Sequence, residues 1–309
     1  MKNKLVHFKN NLLNKVKHIY ETKYKILMLI TFTILVLALV QIGLQYALTG
    51  DFVNKGITLK GGSTITIIKT DINTVELDSF LKDQFSNSEI SDISVRTITS
   101  AGKTTSIAID SAAQEEEQIN ALLDAVIKKE GLSKEDYSVE VMGASLGDSF
   151  FRQTMVAIAI AFLLMCLVVF AYFRSPAPSL MVIFCAFSDI VVPLAIFNLT
   201  GMKLSTAGIA AFLMLIGYSI DTDMLLTARV LKRKEGSMMD RVYGAIKTGL
   251  TMTGTTISAV VVALIFVQSE VIKQIMFILF IGLLTDIVMT WIQNVGLLRW
   301  YLEGKERLK

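Results

Sequence analysis

Two aspartates, Asp221 and Asp223, stand near the end of an otherwise oily run, LSTAGIAAFLMLIGYSIDTDMLLTA. Two more, Asp189 and Asp286, sit at the middle of other oily runs. A charged aspartate at the centre of a spanning helix costs about 2.5–3.5 kcal/mol on insertion scales, so such residues face a bundle interior and mark ion or proton pathways. Desolvation disfavours the charged form of a carboxyl, which is the property that reversible protonation needs. The competing reading is structural: acids at a helix end reach water, and protonated acids at mid-membrane hydrogen-bond neighbouring helices.

Depth and angle separate the two neighbours. Ile216 is midway between Lys203 and Arg229. At 1.5 Å per residue Asp221 lies ~7.5 Å and Asp223 ~10.5 Å beyond it, both within the ~15 Å half-thickness of the hydrocarbon. Residues two apart differ by about 200° on the helical wheel, so the two acids point to different faces. Asp221, the deeper, is the leading candidate to carry an ion. Pro193 denies the carbonyl of Asp189 its helical partner, which puts a kink and a spare acceptor beside a mid-membrane acid, or simply an ordinary structural kink. Thr248, Thr251, Thr255 and Ser258 are spaced 3, 4 and 3 and share one helix face. Such a stripe carries proton-linked water or hydrogen-bonds across helices, and the second reading is preferred. Lys247 is the nearest candidate counter-charge, unless it reaches the membrane surface.

Other chemistry is poorly represented. The chain has two histidines, His7 and His18, both in a basic tail, and two cysteines, Cys166 and Cys185, both in oily runs. A cysteine there acts as a small apolar side chain. No nucleophile–base pair, phosphate loop or metal cluster is legible, so no enzyme, cofactor or metal is expected.

The elements that must position the acids are membrane helices. The chain is 53% hydrophobic, against about 45–50% for soluble domains, and the excess lies in runs of about 20 residues, the length that crosses a bilayer. Six spans are expected: Ile26–Leu48, Met155–Phe173, Leu180–Leu199, Leu204–Leu226, Gly249–Val267 and Ile275–Leu298. Lysines and arginines crowd the N-terminal tail, the turn at Arg174, the loop holding Arg229, Lys232, Arg233, Lys234, Arg241 and Lys247, and the tail from Arg299. Six spans put all of these on one side, which the positive-inside rule makes cytoplasmic. The expected order is a cytoplasmic tail (1–25), one span (26–50), an external insert (51–150), five spans (151–300) and a second cytoplasmic tail (301–309).

The insert holds nine lysines and arginines against seventeen acids, a net charge of −8, so it offers no basic face for nucleic acid. STITIIKT alternates as a strand, and TVELDSFLKDQF reads as a helix with apolar Val75, Phe80, Leu81 and Phe85. ISDISVRTITS and KTTSIAID read as strands joined by Ser-Ala-Gly. EEEQINALLDAVIKKEG carries acids first, lysines last and a terminal glycine, the order the helix dipole prefers, and DYSVEVMG is a last strand. The order β-α-β-β-α-β predicts a ferredoxin-like α+β domain, set between the first and second helices of a six-helix membrane bundle.

Three motifs resemble one family. GITLKGGSTITI, with Gly61 and Gly62, resembles the Gly-Gly motif that follows the first span in SecD and SecF. GYSIDTDMLLTARVLKRKEG, from Gly217, resembles the fourth-span signature of SecF in its archaeal form, and SMMDRVYGAIKTGLTMTGTTISA resembles the entry to the fifth span. The layout of one span, a β-rich external domain and five spans is that of the family over essentially the whole chain. The resemblance implies a subunit of the cell membrane that pairs with SecD, assists the Sec translocon channel on translocating polypeptide, and forms with SecD a twelve-span assembly like an RND transporter driven by an ion gradient. It implies an acid of the proton path in the fourth span. Where the bacterial form has Asn-Asp-Thr this chain has Asp221-Thr222-Asp223, and the bacterial arginine at the start of the fifth span matches Thr248, with Lys247 one place away. Proton and sodium both stay open as the coupling ion. A structural assembly partner that pumps nothing is the alternative, and a half-size RND-type exporter is a third, for which an insert of this size is small.

Overall fold

The computed structural model describes residues 15, 17–68, 71–86, 88, 90, 93–100, 103–233, 235–267 and 269–307. The start of the basic tail with His7, the turn residues Ala101 and Gly102, and Lys234 lie outside the described residues. Among the described residues six helices are long and apolar enough to cross a membrane.

The first, α1 (Tyr24–Thr49), leads through a short α2 (Ile57–Lys60) into β1 (Gly62–Ile67). There follow α3 (Thr74–Gln84), β2 (Ser94–Ser100), β3 (Lys103–Ser111), α4 (Glu116–Glu130) and β4 (Tyr137–Met142). The other five spans are α5 (Ala144–Phe173), α6 (Pro176–Leu199), α7 (Thr206–Lys232), α8 (Met238–Phe266), and α9 (Glu270–Val288), which passes through a π-helical turn (Met289–Asn294) into α10 (Val295–Arg307).

Hydropathy marked only the oily middles of these helices. The second span, expected from Met155, begins at Ala144, and the fifth, expected from Gly249, begins at Met238. Their extra turns are polar, and at the start of α8 Ser237 and Asp240 close a capping box. The last span is not the uniform helix expected over Ile275–Leu298, because the π-helical turn interrupts it.

Burial divides the spans into an inner and an outer set. Over their most apolar windows α6 and α7 are 56% and 50% buried, whereas α1, α5 and α8 are 17%, 6% and 17% buried. The inner helices α6, α7 and α9 pack against one another through Phe197, Ile209, Leu215 and Ile278. Close approach is helped where α9 carries Gly282 against Leu215 and where α8 carries Gly249 against the Trp291 ring.

The insert has its own core. All four strands are antiparallel in the order β2-β3-β1-β4. Ile65, Ile67, Ile107 and Ile109 face Leu77, Leu81, Leu122 and Val126 of the two helices. Asn73 caps α3 by accepting from the backbone N–H groups of Val75 and Glu76. The buried face of α3 differs from expectation: Val75 is 78% exposed and Leu77 is fully buried, because the cap fixes the first turn with Val75 outward. Across the sheet Asp110 is buried, accepting from Thr64 at 2.7 Å and pairing with Arg96 at 2.9 Å.

The insert is joined to the bundle by tight backbone contacts. Gly61 and Gly62 have φ of 86° and 133°, a region open to glycine. A Cβ on Gly61 would meet Ala144 Cα at 2.4 Å, and one on Gly147 would meet the Gly61 nitrogen at 2.8 Å. Beside this joint, Leu204 donates its N–H to Asn54 at 2.7 Å and accepts from Gly56 at 2.8 Å. The segment before β1 is thereby stitched to the loop between α6 and α7.

Overpacking a filled joint costs about 1–3 kcal/mol. Gly61→Ala and Gly147→Ala are therefore expected to lower the melting temperature of the purified chain in detergent. Gly43→Ala, where a Cβ meets nothing within 4 Å, serves as the control and should not. Equal melting of all three would remove the joint as a structural constraint.

Candidate functional site

The polar centre of the bundle is built from α6, α7 and the π-helical turn. Helix α6 brings Cys185, Ser188 and Asp189, which share a face at spacings of three, four and one. Helix α7 brings Ser219, Thr222 and Asp223 on its buried stripe, which continues through Leu226, Thr227 and Val230. Asp286 comes from α9, and Thr290, Gln293 and Asn294 from the turn after it. A π-helical turn is wider than an α-helical one and recurs at functional sites. Here it aims Thr290, Gln293 and Asn294 inward together, all fully buried.

Each acid has one oxygen held and a distinct set of partners. The Ser219 hydroxyl donates to Asp189 Oδ2 at 2.5 Å. The Asn294 amide donates to Asp223 Oδ1 at 2.8 Å. Asp286 Oδ1 accepts from Thr290 at 3.0 Å and lies 2.8 Å from the Thr222 hydroxyl, which also reaches the Ser219 carbonyl at 2.9 Å. Gln293 donates to Ser188 at 3.0 Å. Asp189 Oδ1, Asp223 Oδ2, Gln293 Oε1 and Asn294 Oδ1 are buried with no hydrogen-bond partner.

Among the described residues no lysine or arginine pairs with Asp189, Asp223 or Asp286, which are 0%, 0% and 1% exposed. An unpaired buried charge costs several kcal/mol. Three unpaired negative charges this close together and this deeply buried would be strongly disfavoured. The sequence shows no metal-ligand cluster, but the fold brings three possible donors together. One donor atom from each of Cys185, Asp189 and Asp223 lies within 4.8 Å of the others, a grouping that positions 185, 189 and 223 do not betray in the chain.

The two neighbouring acids of α7 part company. Asp223 is fully buried in this centre, whereas Asp221 is exposed on the opposite face. Counting along the axis ranks Asp221 deeper, but the helix's rotation decides which side chain enters the bundle. Lys247 is exposed and does not reach the buried acids. It lines an open groove with Arg229, Gly244, Thr248, Thr251 and Thr255. The hydroxyl stripe does not bond across helices as preferred from sequence: Thr248, Thr251, Thr255 and Ser258 each donate to a carbonyl of α8 itself, at 3.2, 2.7, 2.7 and 2.8 Å. The reason is that α8 is an outer helix whose stripe faces away from the bundle. Pro193 is buried within α6, one turn beyond Asp189. Gly217 has open space where a Cβ would stand, and Gly61 and Gly62 belong to the joint of the insert, away from the acids.

Sequence reasoning missed Ser219, Thr222, Thr290, Gln293 and Asn294. A signal existed in the spacing Asp286, Thr290, Asn294, which puts a polar group at every fourth position of an oily helix.

The turn is fixed from the side where Tyr20 and Arg299 lie. The Tyr20 hydroxyl donates to the Trp291 carbonyl at 2.5 Å. Burial raises the pKa of that phenol, so it stays a donor. Arg299 donates to the Glu21 carbonyl at 2.9 Å and stacks over the Tyr24 ring at 4.1 Å. Tyr24 donates to Glu303 at 2.5 Å.

With this geometry in view, the sequence pattern of the family described as protein export membrane protein SecD/SecF, C-terminal, matches residues 122–304. The protein-export membrane protein SecF of Pyrococcus furiosus is 37% identical over 300 residues, covering 96% of this chain and 98% of that one. SecF of Methanocaldococcus jannaschii is 44% identical over 178 residues, covering 56% of this chain and 63% of that one. Among solved structures, SecDF from Thermus thermophilus, a translocon-associated membrane protein, superposes with a TM-score of 0.70 at 18% identity over 90% of this chain. This chain spans 38% of the length of that one, and at such identity the likeness is one of fold.

Polar contacts between membrane helices average about 0.6 kcal/mol and reach about 1.7. Asn294→Leu, which removes the donor to Asp223, is expected to lower the stability of the chain in detergent by about 1 kcal/mol. Asp223→Asn keeps an acceptor and should leave stability nearly unchanged. The two melting curves check this, and the reverse order would remove Asn294 as the partner of Asp223.

Proposed function

The chain belongs to the SecD/SecF family of protein-export membrane proteins, and from that premise we propose that it is the SecF-type accessory subunit of the Sec translocase, pairing with SecD and using an ion gradient to promote polypeptide export. The observation that carries the mechanism is the group of three buried carboxyls, Asp189, Asp223 and Asp286, with no cationic side chain against them among the described residues. Such a group exchanges protons or cations, and its hydrogen bonds change when it does. One elementary charge crossing 100 mV supplies ~2.3 kcal/mol, enough to bias the packing of α6, α7 and the π-helical turn between two arrangements.

A route from these acids to the insert supports the reading. Helix α7 begins at Ser205, which Gln274 of α9 holds by its side chain. Leu204, next to it, is bonded through its backbone to Asn54 and Gly56. A shift of α7 against α9 therefore pulls on the segment that leads into β1. The insert serves as an external ferredoxin-like domain that moves and draws emerging polypeptide outward, with both termini cytoplasmic. Asp221, Lys247 and Thr248, exposed or half-buried on α7 and α8, belong in this reading to the face turned toward SecD and take part in the ion path there. No catalytic chemistry is assigned.

The structural alternative is favoured by one observation. Ser219, Thr222, Thr290 and Asn294 each already hold an acid by a hydrogen bond, as acids that only glue helices would require.

Export into vesicles containing the chain with SecD and the channel separates the two. Asp223→Asn and Asp189→Asn are expected to abolish the stimulation that an imposed gradient gives, down to the level without the chain. Asp221→Asn tests the outward face in the same way. Ion flux lost together with stimulation supports the relay. Stimulation retained in all three variants, with the complex intact, leaves the structural role.

A further inference from the structure

We propose that Cys185, Asp189 and Asp223 form a three-ligand site for a thiophilic divalent cation of the zinc and cadmium class. The proposal stands on donor geometry and on which atoms are already occupied. A donor atom from each of the three side chains lies within 4.8 Å of the other two. Zinc binds thiolate at ~2.3 Å and carboxylate oxygen at ~2.0–2.2 Å. Three donors around one such ion at trigonal or tetrahedral angles stand ~3.3–4.0 Å apart at these bond lengths, so the three side chains close on the ion by drawing together by at most about 1.5 Å.

The partners of the two carboxyls fit ligands awaiting a cation. Ser219 holds Asp189 Oδ2 and Asn294 holds Asp223 Oδ1. Asp189 Oδ1 and Asp223 Oδ2 have no close hydrogen bond, and the Asp223 carboxyl stands beside the Cys185 thiol and the Thr290 hydroxyl. Metal ligands are typically oriented this way, one atom fixed by an outer hydrogen bond and the other turned to the ion. Next to this group a further buried side chain is incompletely satisfied. Asn294 is fully buried with its amide against Asp223, and its Oδ1 also has no partner.

The donor set selects the class of ion. Calcium takes six to eight oxygen ligands, and magnesium keeps several waters in an octahedron. A thiolate favours zinc or cuprous copper, and two carboxylates call for a double positive charge. On binding, the Cys185 thiol and any protonated carboxyl give up their protons to solvent, and the metal then holds thiolate and carboxylates together between α6 and α7. Binding does not depend on the ion-relay reading of these acids. Its consequence does: a metal seated on both carboxylates removes them from exchange and blocks gradient-driven export.

The test is a cadmium titration of the purified full chain in lipid nanodiscs, read by the ultraviolet thiolate-to-cadmium charge-transfer band. One equivalent is expected to raise the band. Cys185→Ser should abolish it and Cys166→Ser, which alters the other cysteine on α5, should keep it. Asp189→Asn and Asp223→Asn, near-isosteric changes, should each weaken binding at least tenfold, while a thousandfold excess of sodium or magnesium should not displace cadmium. The proposal is overturned if the wild-type chain gives no band, if the band survives Cys185→Ser, or if both aspartate variants bind as wild type. A band of the expected kind with export unaffected by the metal leaves the site standing and counts against the relay.

Discussion

Inside a bilayer no water is there to hydrogen-bond a polar group, so the partners that polar side chains do find come from the chain itself. That constraint organises this bundle. Asp189, Asp223 and Asp286 draw in Ser219, Thr222, Thr290 and Asn294, and these seven residues come from α6, α7 and the end of α9. The three inner helices are the three that share this centre. The outer helices α1, α5 and α8 have no part in it and are mostly exposed.

The π-helical turn follows from the same demand. In a regular helix Asp286 and Asn294 would differ by about 80°, at opposite edges of one face. The widened turn brings both to α7. Its distortion is anchored from the side where Tyr20 caps the Trp291 carbonyl and Arg299 ties down the backbone of Glu21. The Trp291 ring in turn rests on Gly249, where a Cβ would come within 2.2 Å. The N-terminal segment, α8 and the polar centre are thus mechanically linked through one residue.

At the opposite end, linkage runs through backbone rather than side chains. Leu204 exchanges hydrogen bonds with Asn54 and Gly56, and Gly61 packs against Ala144 and Gly147. Backbone contacts at glycines leave little slack, so a movement at the head of α7 or α5 is transmitted to β1. The insert keeps a separate apolar core of its own, so it is a distinct unit held to the bundle by that joint.

Local pattern was enough for much of this. Runs of oily residues located the six spans, and alternation against helical spacing wrote the order of strands and helices in the insert, because both periodicities are properties of neighbouring residues. The wheel angle between Asp221 and Asp223 was also legible, since 100° per residue holds in any helix. Which of the two enters the bundle was not, because that depends on where α6 and α9 lie around α7. The same holds for Val75 and Leu77, sorted by the Asn73 cap and the sheet. It holds for the hydroxyl stripe of α8, whose helix turned out to be peripheral. The π-helical turn and the meeting of Cys185, Asp189 and Asp223 are further from reach: Asp189 and Asp223 are 34 residues apart and Asp223 and Asn294 are 71 apart, and only packing helices around a polar centre brings those side chains together.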